Sequence, residues 1–151
     1  MSAAFVTIRP ATTEDEAAVR TLWCETWTAT YPAFDYQARW PNLWLKWQEA
    51  EAETHVAARA DEIVGMLVLL PQGAEAMVLE QITLALRELG SGTAHLLMER
   101  AKHRAGTRLK LSVNAFNKRA IRFYEREGFV RRATGVNVSS GLATYDYEWR
   151  R

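Results

Sequence analysis

Apolar residues recur along this chain with two different periods, and each change of period marks the boundary of an element. A period of two is typical of strands, and it first occurs in FVTIR near the start of the chain. It returns in HVAARADEIVGMLVLLP, which predicts a hairpin turning at ADE, and strands are also predicted at AMVLEQITLAL and LKLSVNAF. The tail from Phe129 alternates again and turns at SSG, which predicts a closing hairpin.

Four segments between these runs have the period of an amphipathic helix instead. Their apolar stripes are Val19, Leu22, Trp23 and Thr26 in the first; Trp40, Trp44 and Trp47 in the second; Ala94, Leu97, Met98, Ala101 and Ala105 in the third; Ala120, Phe123 and Tyr124 in the fourth. The predicted order is therefore strand, two helices, three strands, helix, strand, helix and two strands.

Cap and breaker residues predict where these helices begin and end. A capping box over Thr13–Glu16 opens the first helix, and the second follows Pro41. Gly106 ends the third helix. Asn117 is the predicted N-cap of the fourth, which Gly128 closes.

The element order predicts an α/β fold in which helices cover a mixed sheet. A helix between two strands, repeated in the second half of the chain, favours parallel pairing around the two central helices. At 151 residues the chain can bury roughly two-thirds of its unfolded surface. We therefore expect one domain over residues 1–151.

Charge and composition argue against several classes of partner. The 19 Lys and Arg against 18 Asp and Glu give a net charge of +1, so no overall field attracts nucleic acid or an anionic membrane. The basic run KHRAGTRLK, residues 102–110, fits a solvated helix end better than a nucleic-acid contact. No apolar run approaches the roughly 20 residues of a membrane span. A single cysteine, Cys24, and a start without a leader pattern lead us to expect a cytoplasmic protein.

The residues RELGSGTA place two glycines between a predicted strand and a predicted helix. The first turn of a helix leaves amide N–H groups without intrahelical partners, and glycine lets a phosphate approach them. Gly90, Ser91, Gly92, Thr93 and Ala94 are therefore candidates to bind a diphosphate, with Lys118 or Arg119 assisting. Plain turn geometry is the alternative. A Walker loop is excluded because no Lys-Ser or Lys-Thr follows, and a dinucleotide fingerprint fits poorly because its third glycine is missing.

The later stretch VNAFNKRAIRFYEREGF is the more specific motif. Together with the glycine turn it resembles the GNAT acyltransferase superfamily, whose members carry an acetyl-CoA diphosphate loop before a long helix. An Asn and the pattern A--FYE--GF follow in that family. The resemblance spans almost the whole chain. It implies a mixed, mostly antiparallel seven-stranded sheet with a central parallel pair and four flanking helices.

The diphosphate loop of that family can be aligned on this sequence in two ways. One alignment uses Arg87, Gly90 and Gly92, and the other uses Leu89, Gly92 and Ala94. We prefer the second, because burial of the third helix then places Leu97 and Met98 at the apolar pair of the family and turns His95 outward. Its departures are Leu86 for the usual proline and Leu89 for the usual Arg or Gln.

The resemblance also assigns roles to residues. The strand ending near Leu84 would bulge and splay from its neighbour so that the pantetheine arm pairs with its edge, and the N–H of Leu84 or its neighbour would hold the thioester oxygen. Tyr124 would protonate the departing thiolate, and Glu80 would accept the amine proton through a water. Trp27 and Tyr31 would line the acceptor pocket. The residues implied at the cosubstrate are Leu84, Leu86, Leu89, Gly90, Ser91, Gly92, Thr93, Ala94, Asn117 and Tyr124.

The sequence therefore predicts an acetyl-CoA-dependent N-acetyltransferase acting on a primary amine of a small molecule or peptide. A non-catalytic acyl-CoA binding or sensing module is the alternative, and a nucleotide-binding domain is a third interpretation. We expect no metal, because His55, His95 and His103 lack ligand spacing. The acceptor, the acyl chain and the oligomeric state stay open, a homodimer included.

Overall fold

The computed structural model describes residues 5–151, and within them the elements follow the predicted order. One short 3-10 turn, Thr13–Asp15, lies between the first strand and the first helix, and another, Leu86–Glu88, lies between the fourth strand and the third helix. The strands and α-helices are β1 (Val6–Pro10), α1 (Glu16–Thr30), α2 (Tyr36–Glu49), β2 (Glu53–Arg59), β3 (Glu62–Pro71), β4 (Ala76–Leu84), α3 (Thr93–Ala105), β5 (Arg108–Asn114), α4 (Lys118–Arg126), β6 (Val130–Val136) and β7 (Ala143–Arg150). No helix of this part of the chain is long and apolar enough to span a bilayer.

The strands form one sheet in the order β1-β2-β3-β4-β5-β7-β6. All neighbouring strands are antiparallel except β4 and β5, which are parallel. A parallel pair requires a crossover connection, and α3 provides it. The predicted fold class, a mixed and mostly antiparallel seven-stranded sheet with a central parallel pair and four helices, is confirmed.

The parallel pair is short, and its two strands separate beyond it. Only Ala76–Val78 on β4 pair with Arg108–Lys110 on β5. From Leu79 onward β4 has no partner on that side, and β5 likewise has none on its facing side from Leu111. The expected separation of the strands is therefore present, and it opens a gap in the middle of the sheet.

A β-bulge lies where the two strands separate. Leu79 and Gln81 pair with consecutive residues of β3, so Glu80 between them is the extra residue. A bulge bends its strand and increases the local twist. The predicted bulge on this strand is therefore present, and it falls at the candidate base.

Helices cover both faces of the sheet with separate apolar cores. On one face α3 contributes Leu97 and Met98, which are fully buried. On the other face α1 and α2 contribute a tryptophan-rich core in which Trp40 and Trp47 are buried. Fully burying a large apolar side chain contributes about 1.5–3 kcal/mol, so these residues fix the helices on the sheet.

The capping box before the first helix lies one residue earlier than the sequence predicted, at Thr12 and Asp15. The Thr12 amide donates to the Asp15 carboxylate at 2.8 Å, and the box expected at Thr13 is not formed. Arg9 on β1 holds the same carboxylate at 2.7 Å and lowers the pKa of Asp15 to about 2. The ion pair with Arg9 therefore selects Asp15 over Glu16 as the capping carboxylate.

The second helix also begins earlier than expected, at Tyr36 rather than after Pro41. Asp35 caps it by accepting the Ala38 amide at 3.1 Å. A proline inside a helix costs about 3 kcal/mol or more, but burial of Tyr36 and Trp40 beside it offsets that cost. The helix therefore begins more than one turn before its predicted start.

The remaining predicted helix ends are confirmed. Gly106 follows α3 with a positive φ of 79°. Asn117 caps α4, because its side chain accepts the Ala120 amide at 3.2 Å. Gly128 follows α4 with a φ of 94°. These signals are local, so they do not depend on the packing of the rest of the chain.

The basic run at residues 102–110 is largely engaged in contacts within the protein. Lys102 donates to the carbonyl of Glu127 at 2.7 Å, and Arg104 pairs with Glu53 at 2.8 Å. These contacts join α3 to its neighbours.

Candidate active site

Two adjoining cavities lie at the gap between β4 and β5. The larger has a volume of about 770 Å³ and the smaller about 380 Å³. The wall between them is formed by residues that line both, namely Trp27, Ile82, Asn117, Ala120 and Tyr124. We refer to the larger as the loop cavity, because the glycine turn borders it, and to the smaller as the aromatic cavity.

The predicted cosubstrate residues lie mainly around the loop cavity. Its walls include Leu84, Leu86, Leu89, Gly90 and Ala94. Leu86 and Leu89 are 50% and 39% exposed. In the preferred alignment these two apolar side chains replace the usual proline and the usual Arg or Gln of the family.

The glycine turn contains both free and engaged amides. Gly90 and Gly92 adopt φ values of 81° and 94°, which glycine tolerates far better than other residues. Within residues 5–151 no hydrogen bond engages either of their amides, and the Ala94 amide lies in the first helical turn, where intrahelical acceptors are lacking. The alternate amides are engaged. Those of Leu89, Ser91 and Thr93 donate to Leu86 O, Glu88 O and Ser91 Oγ, respectively.

A buried carboxylate supports this turn from below. Glu88 accepts hydrogen bonds from Arg59 at 2.8 Å and from the Thr93 hydroxyl at 2.9 Å. The Arg59 contact, more than any other, lowers the pKa of Glu88. Because Thr93 is 1% exposed and its hydroxyl is directed to Glu88, its side chain supports the turn and does not line the cavity.

Three arginines of α4 give the loop cavity a positive charge. Arg119, Arg122 and Arg126 line it at helical spacing and are exposed. None of the three forms an ion pair with a described residue, and no described carboxylate lines this cavity. Arg119 was a predicted assistant, while Lys118 does not line the cavity and the other two arginines were missed. Their i, i+3, i+7 spacing is the signal that could have identified them.

The environment of α3 agrees with the second of the two loop alignments. Leu97 and Met98 are fully buried, whereas the His95 side chain is 57% exposed. Arg87, the residue that the first alignment would use, pairs with Glu62 at the start of β3. Its guanidinium is therefore engaged outside the cavity.

The free edge of β4 presents backbone groups to the gap. The Ala85 amide donates to Val64 O of β3 at 2.8 Å. Successive residues of a strand point their backbone groups to opposite sides, so the N–H of Leu84 faces away from β3 and toward the gap. Leu84 O accepts the Thr26 hydroxyl at 2.8 Å, which ties this end of the strand to α1.

Aromatic side chains form much of the aromatic cavity, and the two predicted residues are among them. Tyr31 stacks on Phe116 with ring centroids 4.6 Å apart, and Trp27 stacks on Tyr36 at 6.1 Å. The loop between β6 and β7 closes another side through Asn137, Ser140 and Leu142. Trp27 and Tyr31, which the resemblance implied for an acceptor pocket, therefore line this cavity.

Two charged side chains line the aromatic cavity among the described residues, Glu80 and Arg39. Glu80 is largely buried, with 22% of its side chain exposed, and it accepts from Lys46 Nζ at 3.4 Å. Arg39 stands over the Phe34 ring, with its guanidinium carbon 4.0 Å from the centroid. Sequence reasoning missed Arg39, because it placed this residue before the second helix.

Tyr124 lies on the wall that the two cavities share. Only 7% of Tyr124 is exposed, and burial raises the pKa of its phenol well above the usual value. No described group hydrogen-bonds the hydroxyl. The phenol is therefore protonated at neutral pH and free to donate.

Asn117 also borders both cavities, but its side-chain oxygen serves the cap of α4. That role leaves its side-chain amide hydrogens available for another acceptor. The cap also fixes the first turn of α4, from which the chain reaches Tyr124 two turns into the helix.

A histidine and two glutamates converge away from both cavities. Ligand atoms of His95, Glu99 and Glu127 lie within 4.8 Å of one another. The His95 ring contacts Glu127 at 2.9 Å, and Lys102 Nζ lies 3.5 Å from the same carboxylate. The Lys102 ammonium already supplies a cation here, and the cluster joins α3 to the end of α4.

Comparison with known proteins bears directly on this site. The model of the acetyltransferase (GNAT) family matches residues 17–129, which include the bulged strand, the glycine turn and Tyr124. The chain belongs to the GNAT acetyltransferase family. The structural features that GNAT membership led us to expect, a seven-stranded sheet opened between its central strands, are those described above. A search of curated proteins found no match.

Solved structures of acetyltransferases share the fold over essentially the whole chain. An acetyltransferase from Thermus thermophilus superposes with a TM-score of 0.80 and 17% identity, covering 100% of both chains. An N-acetyltransferase from Thermoplasma acidophilum, solved in complex with coenzyme A, gives 0.78 and 17%, also over 100% of both. A ribosomal-protein-alanine N-acetyltransferase from Brucella melitensis gives 0.69 and 21%, covering 96% of this chain and 99% of the other. At these identities the likeness establishes the fold.

Proposed function

We propose that this protein transfers the acetyl group of acetyl-CoA to a primary amine. The Thermoplasma neighbour was solved with coenzyme A, and the loop cavity of this chain has the chemistry that such an anion requires. The amides of Gly90, Gly92 and Ala94 would bind the diphosphate, because charge-assisted bonds to backbone amides are strong and directional. Arg119, Arg122 and Arg126 would supply long-range attraction.

The reaction is a direct attack at the gap between β4 and β5. The neutral amine nitrogen forms a bond to the thioester carbonyl carbon, and the carbon–sulfur bond breaks. Glu80 accepts the amine proton through a water, and the Tyr124 hydroxyl protonates the departing thiolate. The N–H of Leu84 faces the same gap and would stabilise the carbonyl oxygen as negative charge develops.

Deprotonation of the amine is the reason for assigning a base. A primary amine with a pKa of about 10.4 is neutral in about one molecule per thousand at neutral pH. Glu80 stands on a bulge at the point where the strands separate, with its side chain largely buried. It is the one carboxylate of the described residues that lines the aromatic cavity.

The single observation that carries this proposal is the position of Tyr124. Tyr124 lines both cavities, one with groups suited to an anionic cosubstrate and one large enough for a small acceptor. Its hydroxyl has no hydrogen-bond partner within residues 5–151. A donor held without an internal acceptor at such a boundary is suited to protonate a leaving group.

Replacement of the phenol tests the proposal. Tyr124→Phe should lower kcat by about 10²- to 10⁴-fold, the usual effect of losing a general acid, while the Kd of acetyl-CoA changes by a few fold. Because burial raises the pKa of Tyr124, the wild-type phenol remains the acid form at high pH, and no loss of rate from its ionisation is expected up to about pH 10. Thiol release and isothermal titration measure these quantities.

A matched tyrosine controls for loss of a hydroxyl elsewhere. Tyr145 on β7 lines neither cavity, and the guanidinium carbon of Arg131 lies 3.7 Å from its ring centroid. Tyr145→Phe should therefore have the kcat of the wild type. If Tyr124→Phe is as active as the wild type, the assignment of the acid is wrong. If the wild type binds acetyl-CoA and acetylates no amine, the chain is an acyl-CoA binding module.

A further inference from the structure

The Arg39 side chain lines the aromatic cavity without an acidic partner. Its guanidinium forms no ion pair or side-chain hydrogen bond with any residue in the described range 5–151. The arginines that pair with a carboxylate do so away from this cavity, as Arg9, Arg59 and Arg104 do. Arg39 therefore presents hydrogen-bond donors without an internal partner to the cavity that we propose for the amine substrate.

The Arg39 side chain is also held in a defined position. Its guanidinium carbon lies 4.0 Å from the centroid of the Phe34 ring. Phe34 in turn contacts Tyr31 and Tyr36, with centroids 5.5 and 6.2 Å apart. Stacking on a ring leaves the edge of the guanidinium free, and its fork of donors matches a carboxylate.

The charge balance of the aromatic cavity disfavours an acceptor that is only cationic. Glu80 is already paired with Lys46, which does not line the cavity. Arg39 is then an uncompensated positive charge, and Arg119, Arg122 and Arg126 add further positive charge on the other side of the shared wall. An ammonium group entering alone is attracted by Glu80 but repelled by Arg39 and by the arginines beyond the shared wall.

We infer that the acceptor is a small amine that also carries a carboxylate, and that Arg39 binds this carboxylate. The inference rests on the proposed function, since it takes the aromatic cavity as the acceptor site. The carboxylate neutralises Arg39, while the amine of the same molecule reaches Glu80 and the thioester. Trp27 and Tyr31 contact its apolar body.

The positions of Arg39 and Glu80 bear on the spacing between the two charges of such a molecule. Arg39 and Lys46 lie seven residues apart on α2, which is about 10 Å along a helix. Lys46 contacts Glu80 at 3.4 Å, and Arg39 and Glu80 line one cavity of about 380 Å³ from different elements, α2 and the bulged β4. We therefore test both a carboxylate separated from the amine by an aromatic ring and one on the adjacent carbon.

Matched pairs of amines test the inference. The first pair is 4-(aminomethyl)benzoate and benzylamine, and the second is L-phenylalanine and L-phenylalanine amide. Within a pair the body is the same and the carboxylate is removed or masked, while the two pairs differ in the distance between amine and carboxylate. We expect kcat/KM to favour the carboxylated member of at least one pair by about 10- to 100-fold, as a charge-assisted fork permits.

The side chain is tested with variants of the same chain. Arg39→Gln should lower kcat/KM for the carboxylated amine to about the value for its uncharged partner, and Arg39→Lys should restore part of the difference. Arg132→Gln is the control, because Arg132 lies on β6 and lines neither cavity. Titration of the four amines into protein saturated with coenzyme A gives the same comparison without turnover.

The outcomes separate this inference from the proposed function. If amines are acetylated but neither carboxylated member is preferred, or if Arg39→Gln leaves the preference intact, the inference is overturned and the transferase stands. A neutral peptide N-terminus acetylated as well as the best carboxylated amine also overturns it. If no amine is acetylated, yet a carboxylated amine binds and Arg39→Gln abolishes that binding, the inference holds and the proposed reaction fails. Absence of both binding and turnover overturns it.

Discussion

The two cavities that meet at Tyr124 are built by different means. Backbone amides and an arginine stripe on one helix surround the loop cavity. Aromatic rings, one arginine and one glutamate surround the aromatic cavity, and these side chains come from α1, α2, the bulged strand and the last loop. One half of the site therefore depends on local chain geometry, and the other depends on distant segments packing together.

This difference indicates which half of the site can change easily. Binding through backbone amides, which we propose for the loop cavity, would not depend on most side chains, and Leu89 stands where the preferred alignment has the Arg or Gln of the family. Recognition by aromatic and charged side chains changes with each substitution. On our proposal the loop cavity serves the cosubstrate that the family shares, and the aromatic cavity selects the acceptor of this chain.

Loss of the candidate base should have the largest effect, and that effect should be on turnover and not on binding at the loop cavity. Glu80→Gln is expected to lower kcat by about 100-fold or more at neutral pH, because the amide cannot accept the amine proton. The Kd of acetyl-CoA should stay within about twofold, since Glu80 does not line the loop cavity. Steady-state kinetics and calorimetry on one preparation measure both.

The control for this change is Glu75→Gln, which alters an exposed glutamate before β4 that lines neither cavity. Its rate should equal that of the wild type. A Glu80→Gln variant with full activity would remove Glu80 from the mechanism and leave proton transfer to solvent.

Removal of the three arginines of α4 should give an intermediate effect, on binding of acetyl-CoA and not on the amine. Arg119, Arg122 and Arg126 are exposed, so each contributes at most about 1 kcal/mol, and replacing all three with Gln should raise the KM for acetyl-CoA by about 10-fold. The KM for the amine should change little. Wild-type KM should rise with ionic strength, and that of the triple variant should rise less.

The salt dependence also tests the assignment of the stripe. A triple variant whose KM for acetyl-CoA equals the wild-type value would mean that these arginines do not contact the cosubstrate. The backbone amides would then be the whole of the anion site.

The smallest effect is expected from a single methyl group in the glycine turn. Gly92 has a φ of 94° and Gly106 a φ of 79°, and an added Cβ would meet no atom within 4 Å at either position. Alanine at each should therefore cost about 1–2 kcal/mol of stability through backbone strain alone. Only Gly92→Ala should also weaken acetyl-CoA binding, by about fivefold. Thermal unfolding and calorimetry compare the two, and equal affinities would show that the turn does not bind the diphosphate.

The parts of the fold that the sequence predicted are those with local signals. The order of elements followed from hydrophobic periodicity, and the Asn117 cap followed from its own spacing to Ala120. Burial of Leu97 and Met98 was expected because both belong to the apolar stripe of α3, and it is confirmed. Trp27 and Tyr31 were placed at the acceptor side through the family resemblance.

The parts that were missed depend on tertiary contacts. Asp15 replaced Glu16 in the capping box because Arg9 lies beside it on β1, a contact that no local pattern contains. The start of α2 at Tyr36 depends on burial of Tyr36 and Trp40 in the tryptophan-rich core. Since Arg39 lies on that unexpected turn, its place in the aromatic cavity could not be predicted from spacing.

The short parallel pairing has a consequence for how the protein responds to its cosubstrate. Within the sheet, three residue pairs join β4 to β5, while α3 packs on strands of both halves in one apolar core. A molecule that pairs with the free edge of β4 would add backbone contacts that the sheet lacks there, and its binding would stabilise the folded state by mass action. Amide hydrogens along this unpaired edge should therefore exchange more slowly when the gap is occupied.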